Sequence, residues 1–202
     1  RNNICPKGGA SIGEALKQNN TLTALTLQYN QIGRTGGKAI GAALKENKSL
    51  RELNLGHNFI GPEGTKHIAE ALKINSTLLV LNLAWNKIRS EDASRIADAL
   101  KVNTTLKSLV IYIEGIGLQG LNDLVESLER NFALTKFTLH SCYKSYTELI
   151  YGLSGLENKM GNYIHRNQLV EEERGLRTGE LSFHERSRVL AFGQSSSGSG
   201  AW

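Results

Sequence analysis

The chain has 202 residues, of which 40% are hydrophobic and 21% are charged, and its formal net charge is +5. Such a chain can bury a large core, and we expect one elongated domain because a single period runs through most of it. Basic and acidic residues are interspersed, no nucleic-acid-binding motif occurs and no apolar stretch approaches membrane-spanning length, so we expect neither nucleic acid nor a membrane as the partner.

The first residues match the second half of a repeat unit whose first half is missing. Asn2 and Ile4 precede Asn30 and Ile32 by 28 positions, the step that recurs through the chain. We therefore expect the natural protein to continue upstream. Apolar groups such as Ile4 and Leu16 are expected to be partly exposed, because they lack upstream neighbours.

Three complete units follow, each with leucines and an asparagine at the same spacing. They are Leu22-x-x-Leu25-x-Leu27-x-x-Asn30, Leu50-x-x-Leu53-x-Leu55-x-x-Asn58 and Leu78-x-x-Leu81-x-Leu83-x-x-Asn86. Two further units keep the apolar positions at Leu106, Leu109 and Ile111 and at Leu134, Phe137 and Leu139, with Glu114 and Cys142 in the asparagine position. A fixed period in this range indicates one strand and one helix per unit, stacked so that neighbouring units bury each other's apolar faces.

The pattern L-x-x-L-x-L-x-x-N/C-x-L resembles the leucine-rich repeat, and the 28-residue length with a helical second half is similar to the ribonuclease-inhibitor-like subclass. Motifs such as Ile32-Gly33-x-x-Gly36 and Ala43-Leu44-Lys45-x-Asn47 are most similar to the repeats of NLR-type innate immune receptors. Similar repeats occur in Ran GTPase-activating proteins and in bacterial effectors that enter host cells. The resemblance implies an α/β solenoid, a curved horseshoe with a parallel inner sheet and outer helices.

Alternation along each strand separates core positions from surface positions. In Leu50-Arg-Glu-Leu53-Asn-Leu55 the leucines are expected to face the core, whereas Glu52 and Asn54 face the concave side. Asn82 holds the position of Asn54 in the next unit. These three polar residues are candidates for contact with a partner.

An asparagine recurs where the chain leaves each strand. We name Asn30, Asn58 and Asn86 the strand-end ladder. Their amides can donate to and accept from the turns of adjacent repeats, which satisfies backbone groups that would otherwise be buried unpaired. Cys142 can take the same position, whereas the charge of Glu114 predicts a reshaped fourth turn.

The loops and helices after each strand have a structural explanation. Glycines that permit a tight loop are Gly33, Gly36, Gly61 and Gly64, and their recurrence argues against a phosphate site. Amphipathic helices follow, for example from Thr65 to Ile74. Lysines expected in the last helical turn, where they complement the helix dipole, are Lys17, Lys45, Lys73 and Lys101. We interpret this basic series as a solvated surface, with an acidic partner as the alternative.

Four N-glycosylation patterns start at Asn19, Asn47, Asn75 and Asn103. Each of these asparagines follows a helix, where it can act as a C-terminal cap in the left-handed conformation. The Ser or Thr of the pattern merely precedes the next strand. We therefore interpret the patterns as by-products of the repeat.

The period fails after Cys142, and the simplest interpretation is a longer final helix from about Tyr146 to Arg166. This helix would cover the apolar end of a solenoid that spans residues 1–167. Residues 168–192 are expected to form a cap or a docking segment, and residues 193–202 have the composition of a flexible tail.

The sequence contains no convincing catalytic or metal site, and we expect no cofactor. Cys5 and Cys142 provide neither a disulfide framework nor metal-ligand spacing, which suits a reducing, cytoplasmic compartment. His140 lies two residues before Cys142. Because Cys142 holds a ladder position and should face inward, a Cys–His nucleophile pair is disfavoured.

Large aromatic side chains recur at positions that the repeat pattern leaves free. We name Tyr29, His57, Trp85 and Tyr112 the aromatic row. With His140, the row is expected to line the concave face or its rim, and Gly56 and Ala84 are expected to leave room between the rings. Exposed aromatic groups beside small residues are typical of interface hot spots. The alternative is that Trp85 and Tyr112 only pack against each other or against the loops.

We therefore expect a non-enzymatic module that binds a protein partner through its concave face, as the sensing region of a larger NLR-like cytosolic receptor. The alternative is a bacterial effector or regulator that binds and inhibits a partner protein. A GTPase-activating protein is less favoured, because the acidic tail of that family has no counterpart in the mixed charges of residues 168–192.

Overall fold

The computed structural model describes residues 2–112, 115–140 and 158–171, and the structural statements below concern these residues. The helices are α1 (Pro6–Gln18), α2 (Gly33–Glu46), α3 (Gly61–Leu72), α4 (Ser90–Leu100) and α5 (Gly117–Arg130), and residues 158–171 are also helical and are called α6. The strands are β1 (Ala24–Thr26), β2 (Glu52–Asn54), β3 (Val80–Asn82), β4 (Ser108–Tyr112) and β5 (Lys136–His140).

Within the described residues, five strands form one parallel sheet in chain order. The register repeats the sequence period, since Leu25 pairs with Leu53, Leu53 with Leu81, Leu81 with Leu109 and Leu109 with Phe137. Every strand pairs with its sequence neighbour and every return passes through a helix, so the sheet lines one side and the helices line the other. This confirms the predicted leucine-rich-repeat solenoid, whose concave side is the sheet.

The leucines of the pattern form the core of the solenoid. Leu53, Leu81 and Leu109 are at most 1% exposed, and α3 contributes Ile68 and Leu72 from the other side. Burying a side chain of this size contributes about 1.5–3 kcal/mol relative to leaving it exposed. Since each repeat adds several such groups, stacking the repeats creates one continuous core.

The helix bounds differ slightly from the predicted ones. Helix α3 begins at Gly61 rather than Thr65 and ends at Leu72, so Ile74 lies beyond it and is exposed. Lys73 therefore caps α3 instead of lying in its last turn, and Lys101 does the same for α4.

The glycines after the strands have two different roles. Gly61 has a φ of +64°, in the left-handed region, and an added Cβ would meet nothing within 4 Å. Gly64 lies inside α3, where a Cβ would overlap with Ile60 Cγ2 and lie 3.2 Å from Gly37 Cα in α2. Gly61 serves the turn, whereas Gly64 lets two helices pack closely. The prediction that both serve the loop is wrong for Gly64.

The asparagines that follow the helices form a second ladder. Asn47 has φ −66° and ψ 130°, so it is extended and the predicted left-handed cap is wrong. Its Nδ2 donates to the carbonyls of Leu16 (2.7 Å) and Asn19 (2.8 Å) in the preceding repeat. Its Oδ1 accepts from the N–H groups of Ser49 and Leu50. We name Asn47, Asn75, Asn103 and Asn131, which share this arrangement, the helix-end ladder.

The helix-end ladder also bears on the glycosylation patterns. Asn47, Asn75 and Asn103 are at most 5% exposed, and each amide nitrogen donates to backbone carbonyls. An oligosaccharide attached to such a nitrogen would break both the burial and the hydrogen bonds. This supports the interpretation of these three patterns as by-products of the repeat, whereas Asn19 is exposed and the interpretation of its pattern stays a prediction.

At the two ends of the described structure, the core extends into α1 and the helix-end ladder extends into α6. Leu16 is 3% exposed and belongs to the core, because α1 packs on α2, so its predicted exposure is wrong. At the other end, Asn167 in α6 is fully buried and its Nδ2 donates to the carbonyl of Asn131 (2.9 Å). Arg166 donates to the carbonyl of Leu128 (2.7 Å). Helix α6 thus adds one more rung, and residues 146–157 of the predicted final helix lie outside the described residues.

Candidate functional site

The aromatic row is a continuous stack. Ring centroids lie 4.2 Å apart for Tyr29 and His57, 4.9 Å for His57 and Trp85, and 3.9 Å for Trp85 and Tyr112. The interplanar angles are 16–21°, so each neighbouring pair of rings meets nearly face to face. The four side chains follow one another in the order of the repeats.

The rings themselves fill the spaces that were expected between them. The prediction that Gly56 and Ala84 leave room there is wrong. Gly56 is buried beside Gln28 and Asn54, and a Cβ at this position would lie 3.3 Å from an atom of each. Ala84 is only 5% exposed. Gly56 therefore allows polar side chains, not aromatic ones, to pack at the end of β2.

Three members of the row have an unusual backbone. The φ angle is +61° at Tyr29, +56° at His57 and +60° at Trp85, in the left-handed region that costs an L-residue roughly 1–2 kcal/mol. Tyr112, in contrast, is the last residue of β4 and has a strand backbone. Its ring reaches the same stack although it lies one residue earlier in its repeat than Trp85 does.

Exposure changes along the aromatic row. Tyr29 is 44% exposed and Trp85 is 38% exposed, whereas Tyr112 is only 8% exposed. Trp85 lies between two rings, and its indole N–H makes no hydrogen bond to the described residues. The row is therefore anchored at Tyr112 and presents aromatic surface to solvent further upstream.

Polar side chains lie next to the row on the concave side. Asn54 donates to Gln28 Oε1 (3.2 Å) and accepts from the N–H of Gly56 (3.0 Å). Asn82 likewise accepts from the N–H of Ala84 (2.9 Å). Glu52 is exposed at the other end of β2. All three predicted concave residues thus lie on the sheet, and their contact with a partner stays a prediction.

The strand-end ladder holds the turns beneath the row. Asn58 is fully buried, and its Nδ2 donates to the carbonyls of Leu27 (2.8 Å), Leu55 (3.0 Å) and Gly56 (3.1 Å). Asn86 connects to the preceding repeat in the same way, through the carbonyl of Leu55 (2.8 Å). Each rung therefore ties two consecutive turns together and fixes the position of the aromatic residue just before it.

Sequence reasoning missed the side chains that flank the row on the loop side. Phe59 is 57% exposed, and Lys87 Nζ lies 5.1 Å from the centroid of its ring. Lys87 and Arg89 are exposed and form no ion pair with the described residues. A surface pocket of about 380 Å³ is lined here by Asn3, Tyr29, Asn30, Gln31, His57 and Phe59. The signal was available, because Phe59 and Lys87 both directly follow ladder asparagines.

The convex basic series is largely paired with carboxylates. Lys17 lies 3.0 Å from Glu14, Lys45 lies 3.3 Å from Glu70, and Lys101 lies 2.9 Å from Asp98. The hydrogen bond from Lys45 lowers the pKa of the Glu70 carboxyl, and the bond to Glu14 raises the pKa of Lys17. These exposed pairs support the interpretation of the series as a solvated surface.

The described part of the chain offers no candidate metal site and no candidate membrane-spanning helix. It contains no group of three or more His, Cys, Asp or Glu side chains able to hold a metal ion, and none of its helices is long and apolar enough to cross a membrane. Cys5 is exposed before α1, and hydrogen bonds from the backbone of Gly8 and Lys7 lower the pKa of its thiol. The His140 side chain, Glu114 and Cys142 lie outside the described residues, so their roles stay predictions.

Comparisons with known proteins agree with this architecture. A family model described as "Leucine Rich repeat" matches residues 18–41, 46–69 and 75–97. No curated protein matches the chain by sequence.

Two solved structures resemble this chain over most of its length. The actin-binding site 2 of leiomodin-1 is 21% identical, with a TM-score of 0.73 over 84% of this chain and 95% of that chain. The tropomodulin C-terminal domain of Caenorhabditis elegans is 17% identical, with a TM-score of 0.68 over 85% of this chain and 98% of that chain. At these identities the likeness shows the fold, and the ribonuclease-inhibitor-like and NLR-type assignments stay predictions.

Proposed function

We propose that this chain, a leucine-rich-repeat solenoid, is a non-enzymatic recognition module that binds a protein partner through the aromatic row and the adjoining concave sheet. The observation that carries the proposal is the exposed stack itself. Tyr29 and Trp85 keep 44% and 38% of their surface in solvent while their rings are held in fixed positions.

The backbone of the row supports a role beyond packing. Glycine or asparagine would occupy a left-handed position at less cost than an aromatic residue, yet Tyr29, His57 and Trp85 all stand at such positions. Strain of this kind clusters at functional sites, where the surrounding structure compensates for it. The stacking contacts and the strand-end ladder provide this compensation.

The stack is also suited to binding in energetic terms. A free aromatic side chain loses rotamer freedom when it enters an interface, which costs roughly 0.5–1.5 kcal/mol for each immobilised side chain. In the row, neighbouring rings already restrict each side chain before a partner arrives. Large area and little remaining freedom are the properties of an interface hot spot.

The structural likeness is compatible with this proposal. The leiomodin-1 domain is, by its name, an actin-binding site, so a solenoid of this shape can serve a protein partner. For this chain, actin is one candidate to include in binding assays. Because its repeat motifs resemble those of NLR-type receptors, we further propose that this chain belongs to the sensing region of a larger cytoplasmic NLR-like receptor. The alternative is a bacterial effector that inhibits its partner.

The proposal is tested by capturing partners on the immobilised full chain and on its Trp85→Ala variant, followed by mass spectrometry. Lys73→Ala is the matched control, because Lys73 is exposed at the end of α3 and forms no ion pair with the described residues. We expect a protein that the native chain and the control both retain and that Trp85→Ala loses. Equal capture by all three chains would contradict the proposal.

A further inference from the structure

We infer that the partner segment recognised by the aromatic row is acidic, with carboxylate groups placed against the ring edges, Lys87 and Arg89. This inference rests on the proposed function and specifies the chemistry of the partner. It follows from which parts of the rings remain accessible and from the charges beside them.

The stacked geometry covers the ring faces inside the row. Trp85 has His57 on one side and Tyr112 on the other, at centroid distances of 4.9 Å and 3.9 Å. A cation that seeks the negative face of an aromatic ring finds these two faces occupied. The 38% of Trp85 that remains exposed must therefore be mainly its edge.

An aromatic edge has the opposite electrostatic character to a face. Its C–H groups carry partial positive charge, and the indole N–H of Trp85 is a donor that makes no hydrogen bond to the described residues. A partner that lies across the edges therefore gains most from acceptor atoms. Among the unmodified side chains of a protein partner, carboxylates are the strongest acceptors.

The charges of the loops beside the row have the same sign. In residues 28–33, 56–61 and 84–89 the only charged side chains, apart from the titratable His57, are Lys87 and Arg89, and both are cationic. Neither forms an ion pair with the described residues. Glu114 belongs to the next loop by sequence and lies outside the described residues.

The convex side provides the contrast. There, Lys17, Lys45 and Lys101 already pair with carboxylates of the helices, and of the four lysines in that series only Lys73 forms no ion pair with the described residues. An acidic partner would have to compete with these pairs. The unpaired cations beside the row face no such competition, so charge complementarity favours the row over the convex series.

Selection from a random-peptide display library tests the inference. The library is passed over the full chain, and peptides that also bind the Trp85→Ala variant are removed. We expect the remaining peptides to be enriched in Asp and Glu. Enrichment in neutral or basic residues would overturn the inference and leave the proposed function intact, whereas a selection without Trp85-dependent peptides would count against both.

Selected peptides are then compared with versions in which each carboxylate becomes an amide. We expect the amide versions, and the K87Q/R89Q double variant of the protein, to bind about tenfold more weakly at low salt, with less salt dependence. The matched control is K66Q/K73Q, which removes two exposed convex charges. An equal loss in the control would show a non-specific charge effect and overturn the inference.

Binding to a randomised single-stranded DNA pool shows whether the row recognises the carboxylates of a peptide or the phosphates of a nucleic acid. We expect DNA to be captured more weakly than the acidic peptides and without dependence on Trp85. Tighter, Trp85-dependent capture of DNA would overturn the inference in favour of a nucleic-acid partner.

Discussion

The Trp85 indole stacks on the Tyr112 ring at a centroid distance of 3.9 Å, although the two residues have unlike backbones and are not one period apart. Trp85 follows its strand with a φ of +60°, whereas Tyr112 is the last residue of β4 and pairs in register with His140. The step of 28 residues from Trp85 leads to Ile113 instead. The longer strand β4 therefore replaces the turn that positions the earlier rings.

We expect a double-mutant cycle with Trp85→Ala and Tyr112→Ala to give a coupling energy of about 0.5–1.5 kcal/mol in urea melts, because aromatic pairs interact beyond their area burial. The control cycle combines Tyr29→Ala with Tyr112→Ala, whose rings do not touch in the stack. It should be nearly additive. Equal coupling in both cycles would contradict a pairwise stack.

The fold could be predicted from the sequence because leucine spacing determines both the strand register and the core. The pairing of Leu53 with Leu81 follows directly from it. The stack could be predicted only as a set of neighbouring rings. Its face-to-face contact depends on the left-handed turns and on the length of β4, which no leucine spacing reveals.

The conformation of the helix-end asparagines shows a second limit of prediction from sequence. A general preference for asparagine in left-handed caps led to the wrong conformation for Asn47. In a solenoid, the preceding repeat offers carbonyls at a fixed distance, and Asn47 turns its amide toward them in an extended conformation. The competing contact is tertiary, so the local preference alone could not predict it.

We expect Asn58→Ala to lower the free energy of unfolding by about 1–3 kcal/mol, because three carbonyls lose their donor in a fully buried turn. Denaturant melts provide the measurement. Lys101→Ala, which removes one exposed ion pair, should cost less than about 1 kcal/mol. Equal costs would mean that the strand-end ladder does not hold the turns.

The helix-end ladder allows a comparison of two asparagines with the same sequence context. The amide of Asn75 donates to the carbonyl of Leu44 (2.7 Å) and the residue is 4% exposed, whereas Asn19 is exposed and its amide donates no hydrogen bond to the described residues. We expect Asn75→Ala to destabilise the chain by about 1–3 kcal/mol and Asn19→Ala by less than about 1 kcal/mol. The reverse order in thermal melts would refute the ladder.

Close helix packing gives a prediction with opposite signs at two helical glycines. A Cβ on Gly64 would overlap with Ile60 Cγ2, whereas a Cβ on Gly161 in α6 would meet nothing within 4 Å. We expect Gly64→Ala to cost about 1–3 kcal/mol from overpacking. Gly161→Ala should stabilise by about 0.5–1 kcal/mol, since alanine favours the helix. Urea melts of both variants measure the free energy of unfolding. Stabilisation by Gly64→Ala would refute the packing role of Gly64.

The aromatic row leads to the prediction with the largest functional consequence. Trp85→Ala should weaken a captured partner by about 2 kcal/mol or more, because a central aromatic anchor is the usual hot spot. Tyr29→Ala should also weaken binding, since Tyr29 is the most exposed ring of the row. Isothermal calorimetry gives the affinities, with a melt on every variant to show that the fold stays cooperative.

The control for this experiment is Lys73→Ala on the convex side, which should leave affinity unchanged. If a double variant with Trp85→Ala and Tyr29→Ala retains full affinity, the aromatic row serves only to pack the strand ends. If affinity falls instead at Lys45, Lys73 and Lys101, the partner binds the helices, because these lysines stand at the ends of α2, α3 and α4, away from the concave sheet. Loss of affinity confined to the row would place recognition on the aromatic surface that the stack leaves open to solvent.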